Sequence, residues 1–232
     1  MLIILLALAV APAICIILLV YFKDKYEREP FSLILKCFIL GIFTIIPPAI
    51  IEIAAKKIGP DHSTNSYNII IYVFTTVSFS EELSKYLLLR ILPYRSKHFN
   101  EPFDGIIYAV IISMGFATAE NILYVLRGGM NVALIRMFTA IPAHAAFAVF
   151  MGFYVGLAKF RKHNFLLLLT GLLTAIIAHG LYDWLLFQNN MPGLQLLAVV
   201  CLIVIVILSF RAMNIHKKNS PFNPANRPFS HP

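Results

Sequence analysis

The sequence is poor in charge and poor in cysteine. Only 13% of its 232 residues are Asp, Glu, Lys or Arg, where a soluble domain carries about 25%. Hydrophobic residues make up 59% and recur in runs of about twenty, the length a bilayer core requires. A soluble globular class is thereby excluded. The three cysteines, Cys15, Cys37 and Cys201, fall inside apolar segments, which excludes a disulfide framework. HExxH, the helical signature of many zinc peptidases, is absent, and so is the internal repeat that many transporters show. No positive charge precedes the first apolar run, which continues to Tyr21 before KDKYER. Residues 2–22 therefore read as a retained first span, since a cleaved signal has the opposite layout.

What is present is a series of apolar helices. The expected fold is all-α, a polytopic membrane bundle of about seven helices near 2–22, 31–54, 67–92, 104–126, 132–157, 164–187 and 193–212. Turn-forming stretches such as RGGMN and QNNMPG separate the runs. Pro47, Pro48 and Pro142 lie inside spans and are expected to kink them. Residues 1–215 read as one transmembrane domain, with 216–232 a disordered cytoplasmic tail rich in Pro and Asn. The net charge of +8 points to no nucleic acid, because the basic residues flank apolar runs and form no stripe. Thirteen of the nineteen Lys and Arg fall on one side of the bundle and four on the other, these being Lys56, Lys57, Arg127 and Arg136. The richer side is expected in the cytoplasm, which puts the N-terminus outside a cell membrane and the C-terminus inside.

Polar residues within the spans are few: Glu81, Glu82 and Lys85 in the third, Glu120 and Asn121 in the fourth, His144 in the fifth, His179 and Asp183 in the sixth. Each charge at a helix centre costs roughly 2.5–3.5 kcal/mol on insertion scales, so such groups must face one another or water. At about 1.5 Å of rise per residue, four helices bring acids and imidazoles to overlapping depth, nearer the outer face. Glu81 and Lys85 stand i,i+4 in the favoured order for an ion pair, and Glu82, rotated about 100°, need not share that lysine. One carboxylate can then stay ionised while the other serves as base or acid. Any one of these features alone is equally a structural ion pair or an interhelical hydrogen bond. Two function classes remain open on the residues: a water-activating enzyme, and a proton- or cation-coupled transporter using the same cluster.

The ordered set resembles a known pattern. SEELSK is similar to the EExxK motif of PrsW-type intramembrane proteases, FATAE (Phe116 to Glu120) to their FxxxE, and HGLYD (179–183) to their closing HxxxD, with His144 on the helix between. The related CAAX prenyl endopeptidases and bacteriocin-immunity-type proteins carry EExxxR and FxxxH, so Lys85 and Glu120 favour the PrsW branch. The resemblance spans about residues 78–187. It implies cleavage of a membrane-anchored protein, of anti-sigma factor type, on the extracytoplasmic side in a stress-signalling cascade. Glu81 or Glu82 would deprotonate water, Lys85 would set the charge balance, and His144 and His179 would position water or the oxyanion. Asp183 would orient His179, and Glu120 would be a second acid or a ligand. Phe116 and Asn121 are expected near the substrate. Zinc is a candidate cofactor, with His144, His179 and Glu120 or Asp183 as ligands.

Overall fold

The computed structural model describes residues 1–58, 66–188 and 192–226, and among them every regular element is helical. The order is α1 (Leu2–Lys23), α2 (Phe31–Phe43), α3 (Ile46–Ile58), α4 (Ser66–Tyr72), a π-helical turn (Val73–Ser78), α5 (Phe79–Ile91), α6 (Pro102–Phe138), α7 (Ala140–Lys159), α8 (Phe165–Leu186) and α9 (Pro192–Lys218). Five stretches of the described residues are long and apolar enough to cross a membrane: Leu2–Lys23, Phe31–Lys57, Pro102–Lys159, Phe165–Leu186 and Gly193–Lys218. The expected count of seven also includes the charged helix over 67–92 and divides Pro102–Lys159 in two.

α6 is the central helix and packs on α1, α2 and α7. Every residue from Phe103 to Thr118 is buried, as a helix apolar all round requires. Its closest neighbour is α7. A Cβ on Gly152 would lie 2.3 Å from the Gly105 carbonyl oxygen and 2.6 Å from the Ile106 Cα, so only glycine permits this approach. Outward-facing Ile3, Ile50, Ile53, Leu196 and Ile203 are exposed, an apolar surface of the kind lipid covers.

Three breaks place the polar groups. The second expected span divides at Thr44, because Pro47 and Pro48 have no N–H to give back to the preceding turn. The carbonyl of Thr44, which Pro48 would otherwise serve, accepts instead from Ser84 Oγ at 2.9 Å. The prolines thus pin the start of α3 onto α5 beside Glu81. α6 bends sharply at Gly129 (φ 71°, ψ −156°). No atom lies within 4 Å of where its Cβ would stand, so the backbone conformation, not space, calls for glycine there. The chain breaks again at Thr139 (φ −119°, ψ −74°). Pro142 consequently sits in the first turn of α7, where its missing N–H costs nothing, and does not kink a helix interior as expected.

The helix that closes the bundle extends into the expected tail. α9 runs through His216 to Lys218, and the His216 ring stacks on Phe153 at 4.1 Å with Nε2 3.0 Å from the Phe153 carbonyl oxygen. Asn226 Nδ2 then donates back to Lys218 O at 2.7 Å. Local hydrogen bonds and one aromatic contact hold a segment whose composition alone reads as unstructured. Residues 227–232 lie outside the described part.

Candidate active site

Glu81, Glu82 and Lys85 occupy one turn of α5 directly after the π-helical turn, which is closed by Ser78 Oγ donating to Val73 O at 2.8 Å. Such a turn widens the helix by one residue and re-aims the side chains of the next turn. Lys85 Nζ lies 2.8 Å from Glu82 Oε1 and 3.3 Å from Glu81 Oε2. The expectation that Glu82 could leave this lysine alone is corrected: at i,i+3 it still shares the face and is the nearer partner. The same ammonium is 3.3 Å from His144 Nδ1 and 3.9 Å from the centre of the Phe116 ring. Phe116 therefore forms the floor under the lysine.

The two imidazoles are arranged alike. His179 Nδ1 lies 2.9 Å from Glu82 Oε1, and its Nε2 3.2 Å from Asp183 Oδ2. His144 turns Nδ1 toward Lys85 and holds Glu120 Oε2 at 2.9 Å from its Nε2. Ser113 Oγ donates to the His144 carbonyl at 2.9 Å and fixes that turn of α7 on α6. Each ring thus presents Nδ1 inward and is steadied at Nε2 by a carboxylate, the outer support that metal-binding histidines ordinarily have. Ring centroids 5.3 Å apart at 85°, with Phe147 stacked on His179 at 4.9 Å, leave little freedom to rotate.

Glu81, Glu82, His144 and His179 each offer a ligand atom within 4.8 Å of the others. Glu82 Oε2 is buried with no hydrogen-bond partner. Two imidazole nitrogens with carboxylate oxygens suit a zinc-like ion, and the orphaned oxygen is a free donor, so these residues fit a divalent metal. The Lys85 ammonium stands among the same atoms, and an ion held there would require it to draw back. The expected ligand Glu120 lies outside the group, behind His144. Asp183 also lies outside, behind His179.

A cavity of about 720 Å³ opens onto these residues, lined by Glu81, Glu120, His144, His179 and Asp183 among apolar walls. Exposed Lys56 and Arg127 also line it. Glu82 is not among the lining residues; Glu81 is. Asn121, expected near substrate, is fully buried and ties helices together: Nδ2 donates to Ala9 O at 3.1 Å and Oδ1 accepts from Arg136 Nε at 2.8 Å.

Arg136 was not among the expected site residues. Its Nη2 lies 2.8 Å from Glu120 Oε2 and its guanidinium covers the Tyr124 ring at 4.1 Å. Expected near the outer end of the span over 132–157, it reaches back to the part of α6 that carries Glu120 only because of the bend at Gly129. A second group escaped notice at the opposite end of α6: Asp24, Glu29, Glu101 and Asp104 are all buried. Burial first, then Glu101, Asp104 and Glu27, push the Asp24 carboxyl up to about 7. Burial likewise pushes Glu29 up to about 7.

Helices with an acid and imidazole cluster facing a cavity suit a membrane-embedded hydrolase, and the comparisons with known proteins decide for that class. Residues 29–209 match the family described as PrsW family intramembrane metalloprotease. The chain is 37% identical over 193 residues to Protease PrsW of Geobacillus kaustophilus, covering 82% of each chain. It is 35% identical over 179 residues to that of Bacillus subtilis, 76% of this chain and 80% of that one. Against Protease PrsW of Clostridioides difficile it is 32% identical over 232 residues, 96% of this chain and 93% of the other. No solved structure matches the chain. The protein belongs to the PrsW family of intramembrane proteases and is an intramembrane peptidase. The transporter alternative falls with that assignment.

Proposed function

We propose that the protein hydrolyses a peptide bond in a membrane-anchored regulatory protein of anti-sigma factor type, near the extracytoplasmic face. The observation that carries this reading is a cavity lined at once by Glu81, Glu120, His144, His179 and Asp183. Lys56, Arg127 and Arg136 also line it, the side that the Lys/Arg distribution puts outside the cell in a bundle of seven spans. The partners are the lipid bilayer and a single-span protein substrate.

Of the two adjacent glutamates Glu81 is the one that meets the cavity, and it takes the proton from the attacking water as the oxygen adds to the scissile carbonyl carbon. That proton goes to the leaving nitrogen as the C–N bond breaks, so Glu81 ends the cycle ionised. Glu82, His144 and His179 would hold a divalent metal ion, which when bound polarises the carbonyl and acidifies water. Asp183 and Glu120 fix the two imidazoles from behind. Both contacts of Glu120 come from donor groups, so it acts as an acceptor that orients His144. Lys85 balances the charge of the two glutamates and would have to give way for an ion to be held between them.

The test is co-expression with single-span anti-sigma-type proteins, looking for a truncated product. Glu81→Gln should abolish cleavage, by 100-fold or more on the usual scale of about 10²–10⁴ for a general base, with folded protein undiminished. Loss of activity in proportion to loss of folded protein would refute a catalytic role.

A further inference from the structure

The start of α6 gathers five acids with no base among them. Asp24, Glu27 and Glu29 come from the connection between α1 and α2, Glu101 from the N-cap of α6 and Asp104 from its first turn. Asp24 and Glu29 are 2% exposed, Glu101 1% and Asp104 0%. One oxygen each of Glu27, Glu101 and Asp104 lies within 4.8 Å of the others, about twice a Ca²⁺–oxygen distance.

The local donors do not match this charge. Asp104 Oδ2 accepts from the Asn100 and Glu101 amides at 2.7 and 2.8 Å, and the Tyr108 hydroxyl donates to Glu29 Oε2. A helix N-terminus adds about half a positive charge. Asp24 Oδ2, Glu27 Oε2, Glu29 Oε1 and Asp104 Oδ1 remain buried without a partner. Among the described residues no lysine or arginine nitrogen lies within 4 Å of any of the five acids. The neighbouring cations are turned elsewhere. Lys23 faces the Phe210 ring, Arg28 the rings of Tyr21 and Phe22, and Lys159 the Tyr94 carbonyl.

Buried carboxylates need a cation or protons. We propose that Asp24, Glu27, Glu29, Glu101 and Asp104 bind a hard divalent cation, Ca²⁺ or Mg²⁺, which clamps the α1–α2 connection to the start of α6. An all-oxygen donor set with no imidazole or thiolate selects such an ion over zinc. Half-buried Glu27 leaves a path from solvent. Sixteen residues of helix, about 24 Å, separate Asp104 from Glu120, so this site is distinct from the intramembrane cluster and independent of the proposed function. The clamp fixes the register of the helix that carries Glu120.

The test uses the full chain purified in detergent and stripped with chelator. Its thermal unfolding is followed with added CaCl₂, MgCl₂, or NaCl at matched ionic strength. Wild-type Tm should rise by about 5 °C or more with one of the divalent ions, and the comparison of the two identifies which. Glu101→Gln should lose the rise. So should Glu27→Gln, a half-buried position at which folding is not at stake. Glu81→Gln, in the other cluster, should keep it. No rise beyond that given by NaCl, or a rise that survives in Glu27→Gln and Glu101→Gln, overturns the proposal.

Discussion

Replacing Lys85 by methionine removes a charge and keeps most of the volume. The ammonium is 2% exposed and serves Glu82 at 2.8 Å and Glu81 at 3.3 Å. Without it, two buried carboxylates one residue apart are left without their shared cation, and Glu82, whose Oε2 already has no partner, keeps only His179. Removing one partner of a buried ion pair costs about 3–5 kcal/mol. For a chain of this size each kcal/mol lowers Tm by about 2–4 °C, so Lys85→Met should unfold about 6–20 °C below wild type in detergent. The interaction is tested by a second change. Glu82→Gln in the Lys85→Met background removes the charge left unpaired and should restore much of the loss, a non-additivity of the kind contacting residues show. Wild-type stability in Lys85→Met would refute the reasoning, because it would mean that the lysine is not what neutralises the glutamates. A double variant less stable than either single one would refute the pairing of Lys85 with Glu82 in particular.

Asp183→Asn should weaken metal retention by about 10–100-fold, the usual effect of losing a histidine's outer support, whereas His179→Ala should lose the ion altogether; metal analysis of purified protein distinguishes the two. Gly152→Ala drives a Cβ to 2.3 Å from a backbone oxygen and should cost about 1–3 kcal/mol, read by thermal unfolding; an unchanged or higher Tm would contradict the close α6–α7 contact. Reporter fusions after Lys162 and after Gln188 should lie in the cytoplasm and outside respectively, and the same side for both would overturn the proposed topology.

The all-α membrane fold and the meeting of the polar groups within it were legible because charge is so scarce. In a chain with 13% charged residues, Glu81, Glu82, Lys85, Glu120, His144, His179 and Asp183 each interrupt an apolar period, and the insertion penalty forces them to meet. They do meet. Which carboxylate holds which base was not legible, because i,i+3 and i,i+4 share a helix face and the side-chain directions that decide between them depend on tertiary packing. The π-helical turn ahead of Glu81 also has no sequence signal of its own. Arg136 was hidden for another reason. Its partner is sixteen residues away, and the pairing exists only because Gly129 breaks the helix between them. The prolines were read as kinks, but the consequence that matters is the carbonyl they orphan, and only the structure shows Ser84 reaching it.

The same scarcity argument fails in the connections, and this is why the acids beside α6 went unread. A charge inside an apolar span has no water to turn to, so its presence there demands a partner. A charge in KDKYEREP or FNEPFD is presumed solvated, and three lysines and arginines lie in the first of these segments alone. Sequence proximity would pair Asp24, Glu27 and Glu29 with them. The structure does the reverse: the basic groups turn to aromatic rings, as Lys25 does to Tyr26 at 5.9 Å, and the acids turn inward against the start of α6. Inward-facing acids that leave adjacent bases unused cost free energy, and a fold keeps such an arrangement only where a cation or protons neutralise them. Burial, not composition, distinguishes these two groups of charges, and burial is what a sequence of short connections does not disclose.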